Sequence, residues 1–346
     1  MEPVVGMVLC AGLGTRLRPL TARLPKPAVP VCGLPLVRYA LALLAGAGAR
    51  RAAVNAHHLP DAMAAAARAS AAALGLELAV SREPVIAGTG GALREARALL
   101  GGAAAVVVVN GDVLFDVDLA AAVRAHQASG ALATMVLTRM PEGAGYAAVE
   151  TDGAGAVRRI AGRFGPGGEG LAPWHFTGVH VLSPELLARV PAAPFELDVN
   201  RHVYPPLMAA GLVRGHVVTG AWDDLGTPAR YLAANEDVLS GRFPLGRFHG
   251  ASPFAGHEPF GHPGVWLGPG AHVDPGAALH APALIGPGAR VEAGATVGPS
   301  AVVGAGARVG AGARVAHAVV WEGTHVRPGE ELLRAVAAGE ERVAAG

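Results

Sequence analysis

Lysine is almost absent from this chain. Of 28 basic residues in 346, Lys26 alone is lysine and the other 27 are arginine. A position that keeps lysine against that bias is a candidate for needing a compact ammonium rather than a planar fork. Cysteine is nearly as scarce. Cys10 and Cys32 are too few for a disulfide framework and are not CxxC-spaced, so free thiols and a cytoplasmic location are expected. Aromatic residues number 16, whereas alanine accounts for 73 positions, so the 51% hydrophobic content is mostly small side chains. Long apolar runs are missing too. Ala103 to Val109 is too short to span a bilayer, and Met1 to Leu13 lacks the basic flank of a secretory leader. Ala62 to Leu78 is interrupted by Arg68 and Ser70 and reads as a soluble helix, so no membrane partner is expected. Twenty-eight basic against 27 acidic residues leave a net charge of +1 with no basic block, which argues against a nucleic-acid partner.

Val-rich runs alternate with Ala/Leu-rich stretches from residue 1 to about 240, the pattern of a mostly parallel, Rossmann-like sheet flanked by helices in an α/β fold. Strands are predicted at Val4 to Cys10, Arg51 to Asn55, Leu76 to Ser81, Ala104 to Val109 and Leu132 to Thr138. Helices are predicted at Leu36 to Ala47, Pro60 to Leu74, Gly91 to Leu100 and Leu119 to Ser129. Ser183-Pro184 and Thr227-Pro228 each read as an N-cap followed by proline at the first helical position. A hairpin around Thr151-Asp152-Gly153 suggests an antiparallel insertion.

Residues 241–263 lose periodicity and read as a linker. From Leu267 onward, aliphatic residues recur every six positions: Val273, Leu279, Ile285, Val291, Val297, Val303, Val309 and Val315. A small residue follows four positions after each of the first eight. This period marks a hexapeptide β-helix over 264–327, in which three short faces make one coil and nine hexapeptides make three coils. Residues 328–346 form a tail or a capping helix in this reading.

The first predicted strand runs into Ala11-Gly12-Leu13-Gly14-Thr15-Arg16-Leu17, followed by Pro25-Lys26-Pro27. The glycines let backbone N–H groups approach a phosphate or base, and Arg16 and Lys26 supply positive charge. A dinucleotide fingerprint is disfavoured because Leu17 stands where it needs glycine, and no Gly-Lys-Ser/Thr exists for a Walker A loop.

This loop closely resembles the signature of the sugar-1-phosphate nucleotidyltransferases. The likeness extends in order to Gly88-Thr89-Gly90-Gly91-Ala92, Asn110-Gly111-Asp112, Phe176-Thr177-Gly178 and Trp222-Asp223-Asp224-Leu225-Gly226-Thr227, covering residues 1–240. A C-terminal left-handed β-helix is a common appendage in that family, and the handedness is taken from the resemblance. The resemblance implies that Ala11, Gly12, Leu13, Gly14, Thr15, Gly88 and Thr89 meet the nucleotide. Arg16 and Lys26 would act on the phosphates, Gly178 and Glu196 would meet the sugar, and Asp112 and Asp224 would ligate Mg²⁺. Asp112, just past a strand's C-terminal end, stands where open α/β sheets place ligands. Asp223 is the rival of Asp224, and strand alternation would turn the two to opposite faces.

The chain departs from several relatives in lacking a Glu-Lys-Pro segment after the hairpin. Arg158, Arg159 or Arg163 could replace that lysine, with plain surface arginines the favoured reading. Asp198 resembles a sugar-hydroxyl ligand or a helix cap. His57-His58 reads as a solvated turn, and His272, His280, His317 and His325 read as turn residues rather than acyltransferase groups. The expected reaction joins a nucleoside triphosphate to a sugar 1-phosphate, with mannose 1-phosphate and GTP slightly ahead of glucose 1-phosphate with dTTP or UTP, and muramic-type sugars behind. A homo-oligomer through the β-helix is expected. The competing readings are a non-catalytic regulatory subunit and a bifunctional acetyltransferase.

Overall fold

A computed structural model describes residues 3–143 and 145–345. The chain divides into two compact units. The first comprises residues up to Leu13, Val37–Trp222 and Arg247–Gly250; the second comprises Gly14–Leu36, Asp223–Gly246 and everything from Ala251 onward.

The first unit is built on a mixed sheet. Strands β1 (Val4–Leu9), β2 (Arg51–Ala56), β3 (Glu77–Arg82) and β4 (Ala105–Asn110) lie parallel in the order β4-β1-β2-β3. Helices α1 (Leu36–Gly46), α2 (Pro60–Ala73), α3 (Gly88–Glu95) and α4 (Leu119–Ser129) connect them or follow them. Strand β5 (Ala133–Thr138) leads to the hairpin of β6 (Ala148–Thr151) and β7 (Val157–Ile160), then to the long β8 (Ala172–Leu182) and to β9 (Val213–Val217). Antiparallel β8 has β5 along one edge, while its other edge pairs β6 through His175 and β4 from Val179 onward. The expected strands and the inserted hairpin are all present. Helix α3 begins at Gly88 rather than Gly91, so the glycine-rich segment lies inside its first turn. The run Ala105–Val109 is buried throughout, as a parallel central strand requires.

In the second unit the six-residue period becomes three parallel faces. Val265–Leu267, Ala283–Ile285 and Ala301–Val303 stack on one another, as do His272, Arg290 and Arg308 on the second face and Ala278, Thr296 and Arg314 on the third. Each partner lies 18 residues along, which is one coil of three hexapeptides. Ile285, Val291, Val297, Val303, Val309 and Val315 fill the axis and are essentially unexposed. Burial of each valine stabilises the coil by roughly 1.5–3 kcal/mol.

The coil does not stop at three turns. Ala301 pairs with Ala318 and Arg308 with His325, steps of 17 residues, so a fourth turn continues one residue out of phase with Val320, Val326 and Leu332 inward. The break falls at His317, which adopts φ 48° and sets its ring on Glu236 at 2.8 Å. The tail is not a capping helix. Glu331–Ala338 pairs with Arg314–Val320 and folds back on Glu341–Ala344 as an antiparallel hairpin, because strand pairing continues the exposed end of the stack.

Helix α5 (Pro228–Leu239) belongs to this unit and carries its internal braces. Thr227 caps it by accepting from the Arg230 N–H at 3.3 Å. Asn235 Oδ1 accepts from the Cys32 N–H at 2.7 Å. Tyr231 donates to the Pro30 carbonyl at 2.5 Å and accepts from the indole N–H of Trp321 at 3.0 Å, so the coil reaches the segment after Lys26 through one tyrosine. Both cysteines are buried free thiols.

Val297→Asp places an unpaired carboxylate on the coil axis, and a loss of about 3–5 kcal/mol or outright unfolding of the coil is expected. Thermal and chemical unfolding monitored by circular dichroism checks this; a shift under 1 kcal/mol would contradict the packing described.

Candidate active site

In the first unit, parallel pairing sets the C-terminal ends of β1 and β4 side by side, with Leu9 opposite Asn110. Cys10-Ala11-Gly12-Leu13 leaves one strand and Gly111-Asp112 leaves the other. The Gly111 N–H donates to the Leu9 carbonyl at 2.9 Å, and a Cβ on Gly111 would sit 2.7 Å from Cys10 Sγ. Burial, and secondarily the charge of Asp112, push the Cys10 thiol far above its ordinary value, so it stays protonated beside the acid. Ala11 is buried and Leu13 exposed. Gly12 differs from Gly111: a side chain there would meet nothing within 4 Å among the described residues, and its φ is not in the left-handed region.

A buried polar chain joins this strand end to the loop before α3. Asn55 Oδ1 accepts from the Cys10 N–H at 2.7 Å, Asn55 Nδ2 donates to Glu83 Oε1 at 2.8 Å, and Glu83 Oε2 accepts from the Ala87 N–H at 3.1 Å. Asn55 and Glu83 are nearly inaccessible. His57 Nδ1 lies 2.8 Å from the Glu83 carbonyl, so half of the His57-His58 pair serves the same loop. Gly88 follows at φ 73°, where a Cβ would lie 2.5 Å from the Leu197 carbonyl oxygen. Thr89 Oγ1 accepts from the Val199 N–H at 2.9 Å. Both therefore lock the loop to residues 197–199, whatever else they contact.

Gly178 lies where β8 changes partner, at φ 85°, with a would-be Cβ 2.8 Å from Asn110 Nδ2. Trp222 donates its indole N–H to the Thr177 carbonyl at 2.8 Å and meets the rings of His175 and Tyr146 edge-on at 4.3 and 5.5 Å. Tyr146 and His175 help line a 630 Å³ pocket. Asp198 lines it too, while its carboxylate accepts from the Arg201 N–H at 2.9 Å as a cap. Glu196 is exposed and is not among the pocket's lining residues, so a sugar role for it has no geometric support within this unit.

The second unit gathers Arg16, Lys26 and Asp224. Gly14 precedes a single 3₁₀ turn, Thr15–Leu17, and a second such turn, Lys26–Ala28, places Lys26. Lys26 is 5% exposed and donates from Nζ to the Asp224 carbonyl at 2.6 Å. Arg16 Nη2 stands 3.6 Å from Asp224 Oδ2, with the arginine 66% exposed and the acid 11%. Asp224 Oδ1 accepts from the Gly226 N–H at 3.0 Å and pairs with Arg230 Nη1 at 2.6 Å.

The other Arg230 nitrogen reaches Asp223 at 3.2 Å, so alternation does not part the two acids. The strand ends at Asp223, and Asp224 already belongs to the turn. Burial raises the Asp223 pKa, against the lowering effects of the Leu225 N–H and Arg230. Arg230, Asn55 and Glu83 escaped the sequence reading. The Thr227-Pro228 start does place Arg230 in the first turn of a helix, but nothing in its spacing reveals its two acidic partners.

Residues 5–241 match the nucleotidyl transferase family, and residues 282–317 match six bacterial transferase hexapeptide repeats. The chain belongs to the nucleotidyl transferase family. This nucleotidyl transferase is similar to a mannose-1-phosphate guanylyltransferase of Mycobacterium tuberculosis, 31% identical over 272 residues, 78% of this chain and 72% of the relative. It is likewise similar to a UTP–glucose-1-phosphate uridylyltransferase of Synechocystis, 31% identical over 68% of this chain and 63% of the relative. An N-acetylmuramate alpha-1-phosphate uridylyltransferase of Caulobacter vibrioides is 37% identical over 67% of this chain and 96% of the relative. HddC from Yersinia pseudotuberculosis shares the fold, with TM-score 0.56 and 22% identity over 68% of this chain and 99% of that chain. No described helix of the nucleotidyl transferase is long and apolar enough to cross a membrane.

Glu83→Ala strands the Asn55 amide and the Ala87 N–H in a dry interior. A loss of roughly 2–4 kcal/mol in unfolding free energy is expected, since each orphaned group costs about 1–3 kcal/mol. Urea denaturation measures it, and an unchanged midpoint would show that the chain from Cys10 to Ala87 is not holding the loop.

Proposed function

We propose that this nucleotidyl transferase joins a nucleoside triphosphate to a sugar 1-phosphate, releasing pyrophosphate and a nucleoside diphosphate sugar, as a cytoplasmic enzyme that forms homo-oligomers through the β-helix. The observation that carries the reading is the convergence of Lys26, the chain's sole lysine, and Arg16 on Asp224. Gly12 supports it, because neither backbone conformation nor packing demands glycine there and the open space suits close approach of a ligand. Ala11 to Thr15, Gly88 and Thr89 are assigned to the nucleotide, and Gly178 to the sugar. Mannose 1-phosphate with GTP is the preferred pair, and the uridylyltransferase relatives keep glucose and muramic-type sugars in the comparison.

Arg16, largely exposed, can follow the triphosphate and stabilise leaving pyrophosphate. Lys26, buried and fixed between two prolines, holds a point charge where the phosphates close up during in-line attack by the sugar phosphate oxygen on the α-phosphorus. Positioning and electrostatic stabilisation suffice, without a covalent intermediate. Asp112 and Asp224 are each proposed as ligands of a divalent cation, Mg²⁺. The donor chemistry fits: both are carboxylates, hard oxygen donors that suit a divalent cation completed by substrate phosphates and water. When bound, the ion would supply charge neutralisation at the phosphates. Retention of Arg16, Lys26, Asp112 and Asp224 argues against a non-catalytic regulatory subunit.

A matrix of nucleotides against sugar 1-phosphates should show Mg²⁺-dependent pyrophosphate release that needs both substrates; silence across the matrix with folded, metal-replete protein would refute catalysis. Asp112→Asn and Asp224→Asn should each remove about a hundredfold or more of turnover. If Asp223→Asn is the damaging change and Asp224→Asn is mild, the ligand is misassigned. Light scattering that finds a strict monomer at micromolar concentration would refute the assembly role.

Lys26→Arg conserves charge yet should cost roughly a hundredfold in kcat with little change in nucleotide KM, since guanidinium cannot occupy the buried ammonium position. Near-normal turnover in steady-state kinetics would show that any cation serves.

A further inference from the structure

Arg230 has no part in the proposed reaction, yet the turn after Asp223 is built around its guanidinium. The helix start fixes its backbone: Thr227 Oγ1 accepts from the Arg230 N–H at 3.3 Å, with Pro228 at the first helical position. Its side chain bridges two carboxylates instead of biting one. Nη1 lies 2.6 Å from Asp224 Oδ1, and Nη2 lies 3.2 Å from Asp223 Oδ1. Each of those oxygens also accepts from a backbone N–H two residues on, Leu225 for Asp223 at 2.8 Å and Gly226 for Asp224 at 3.0 Å. The backbone makes room for this. Leu225, fully buried, stands at φ 45°, and a Cβ on Gly226 would lie 3.0 Å from both Asp224 Oδ1 and Arg16 Nη1.

Two donors on Asp224 Oδ1 fix the orientation of the carboxylate, because turning the group would break the Gly226 and Arg230 bonds together. Its other oxygen, Oδ2, is the one on the Arg16 side. The two arginines are held differently. Arg230 sits on a capped helix turn and is 36% exposed, whereas Arg16 is 66% exposed and its 3.6 Å separation is too long for a hydrogen bond. Only Arg16 is suited to yield its place. A carboxylate that offers a single oxygen suits a small cation with strict octahedral demands, and serves poorly a larger one that gathers about six to eight oxygens and takes carboxylates through both. Hydrogen bonds to a ligating carboxylate tune the cation it holds, typically by about ten- to a hundredfold in affinity.

We infer that Arg230 is a positioning residue: it holds Asp224 Oδ1, presents the carboxylate through Oδ2 alone, and thereby makes the site prefer Mg²⁺ over Ca²⁺. The inference rests on the proposed function for the assignment of Asp224 as a cation ligand. It gives Arg230 a duty that lysine cannot perform, since one ammonium lacks the planar fork that spans both acids. Asp223 gains a duty too, as the second anchor of that fork.

The test uses Mn²⁺ as its probe. Water-proton relaxation of the full-length protein with Mn²⁺ and GTP, and with UTP in parallel, reports the protein-held cation in the absence of sugar 1-phosphate. Displacement by Mg²⁺ and by Ca²⁺ gives the ratio of the two affinities, and wild type should favour Mg²⁺. Arg230→Ala should move that ratio about tenfold or more toward Ca²⁺, and Arg230→Lys should recover only part of the change. Asn235→Ala, which breaks the bond to Cys32 from the same helix, should leave the ratio within about twofold, since it does not touch the acids. Arg230→Gln carries the same comparison if circular dichroism shows that Arg230→Ala does not fold. A ratio unmoved in the folded Arg230 variant, an equal shift in Asn235→Ala, or full recovery in Arg230→Lys would overturn the inference. Asp224→Asn separates the two levels. Loss of Mn²⁺ there, with an unmoved ratio in the Arg230 variant, sinks the inference alone. An Asp224→Asn protein that holds Mn²⁺ as wild type does, or a wild type that holds none, sinks the assignment of Asp224 and the inference with it.

Discussion

Asp224 is the point on which the second unit's chemistry turns. Its carbonyl takes the chain's only lysine ammonium, and its carboxylate meets the guanidiniums of Arg16 and Arg230. A buried lysine is tolerable only with hydrogen-bond and charge compensation. The 3₁₀ turn at Lys26, the turn after Asp223 and the first turn of α5 must therefore hold together for that ammonium to be placed at all. The geometry also explains why the acids at 223 and 224 stay distinct although Arg230 touches both. Asp223 gives its Oδ1 to the Leu225 N–H and to Arg230, and burial raises its pKa, whereas Asp224 keeps an oxygen on the Arg16 side.

The first unit depends on an equivalent device, a chain of buried hydrogen bonds. Its loops leave the C-terminal ends of different strands, and the Asn55–Glu83 chain sets the spacing between the Cys10 end and the Ala87 turn by three hydrogen bonds. Gly88, Thr89 and Leu197 then close the loop from the other side. Several residues expected to serve substrate thus have structural duties that are visible without any ligand. Gly12, unlike Gly88, Gly111 and Gly178, has neither a steric nor a conformational reason to be glycine.

Much of this was legible in the residues. Strand and helix positions followed from valine runs, alanine-rich amphipathic stretches and proline at helix starts, because those signals are local. The coil followed from strict periodicity. Illegible features share one cause: they are pairings between distant positions that impose no local pattern. Glu83 and Asn55 lie 28 residues apart, and Arg230 meets acids whose partner choice no spacing reveals. The fourth turn was missed because one deleted residue at His317 shifts the register, and a search for sixes ends where the count becomes five. Arg163 differs from Arg159 only in what each side chain finds nearby, the Phe164 ring or the Glu150 carboxylate, which sequence cannot show.

The hydrogen-bonded run from Trp321 through Tyr231 to Pro30 makes the β-helix a support for the segment after Lys26. The Caulobacter relative is spanned almost whole by an alignment of 241 residues, so a family member can manage on about the length that precedes the coil here. In this chain Tyr231 is fully buried with its hydroxyl committed on both sides, and the segment after Lys26 leans on it. Deleting the coil would expose Tyr231 to water and take away the Trp321 donor beside the very turn that places the ammonium.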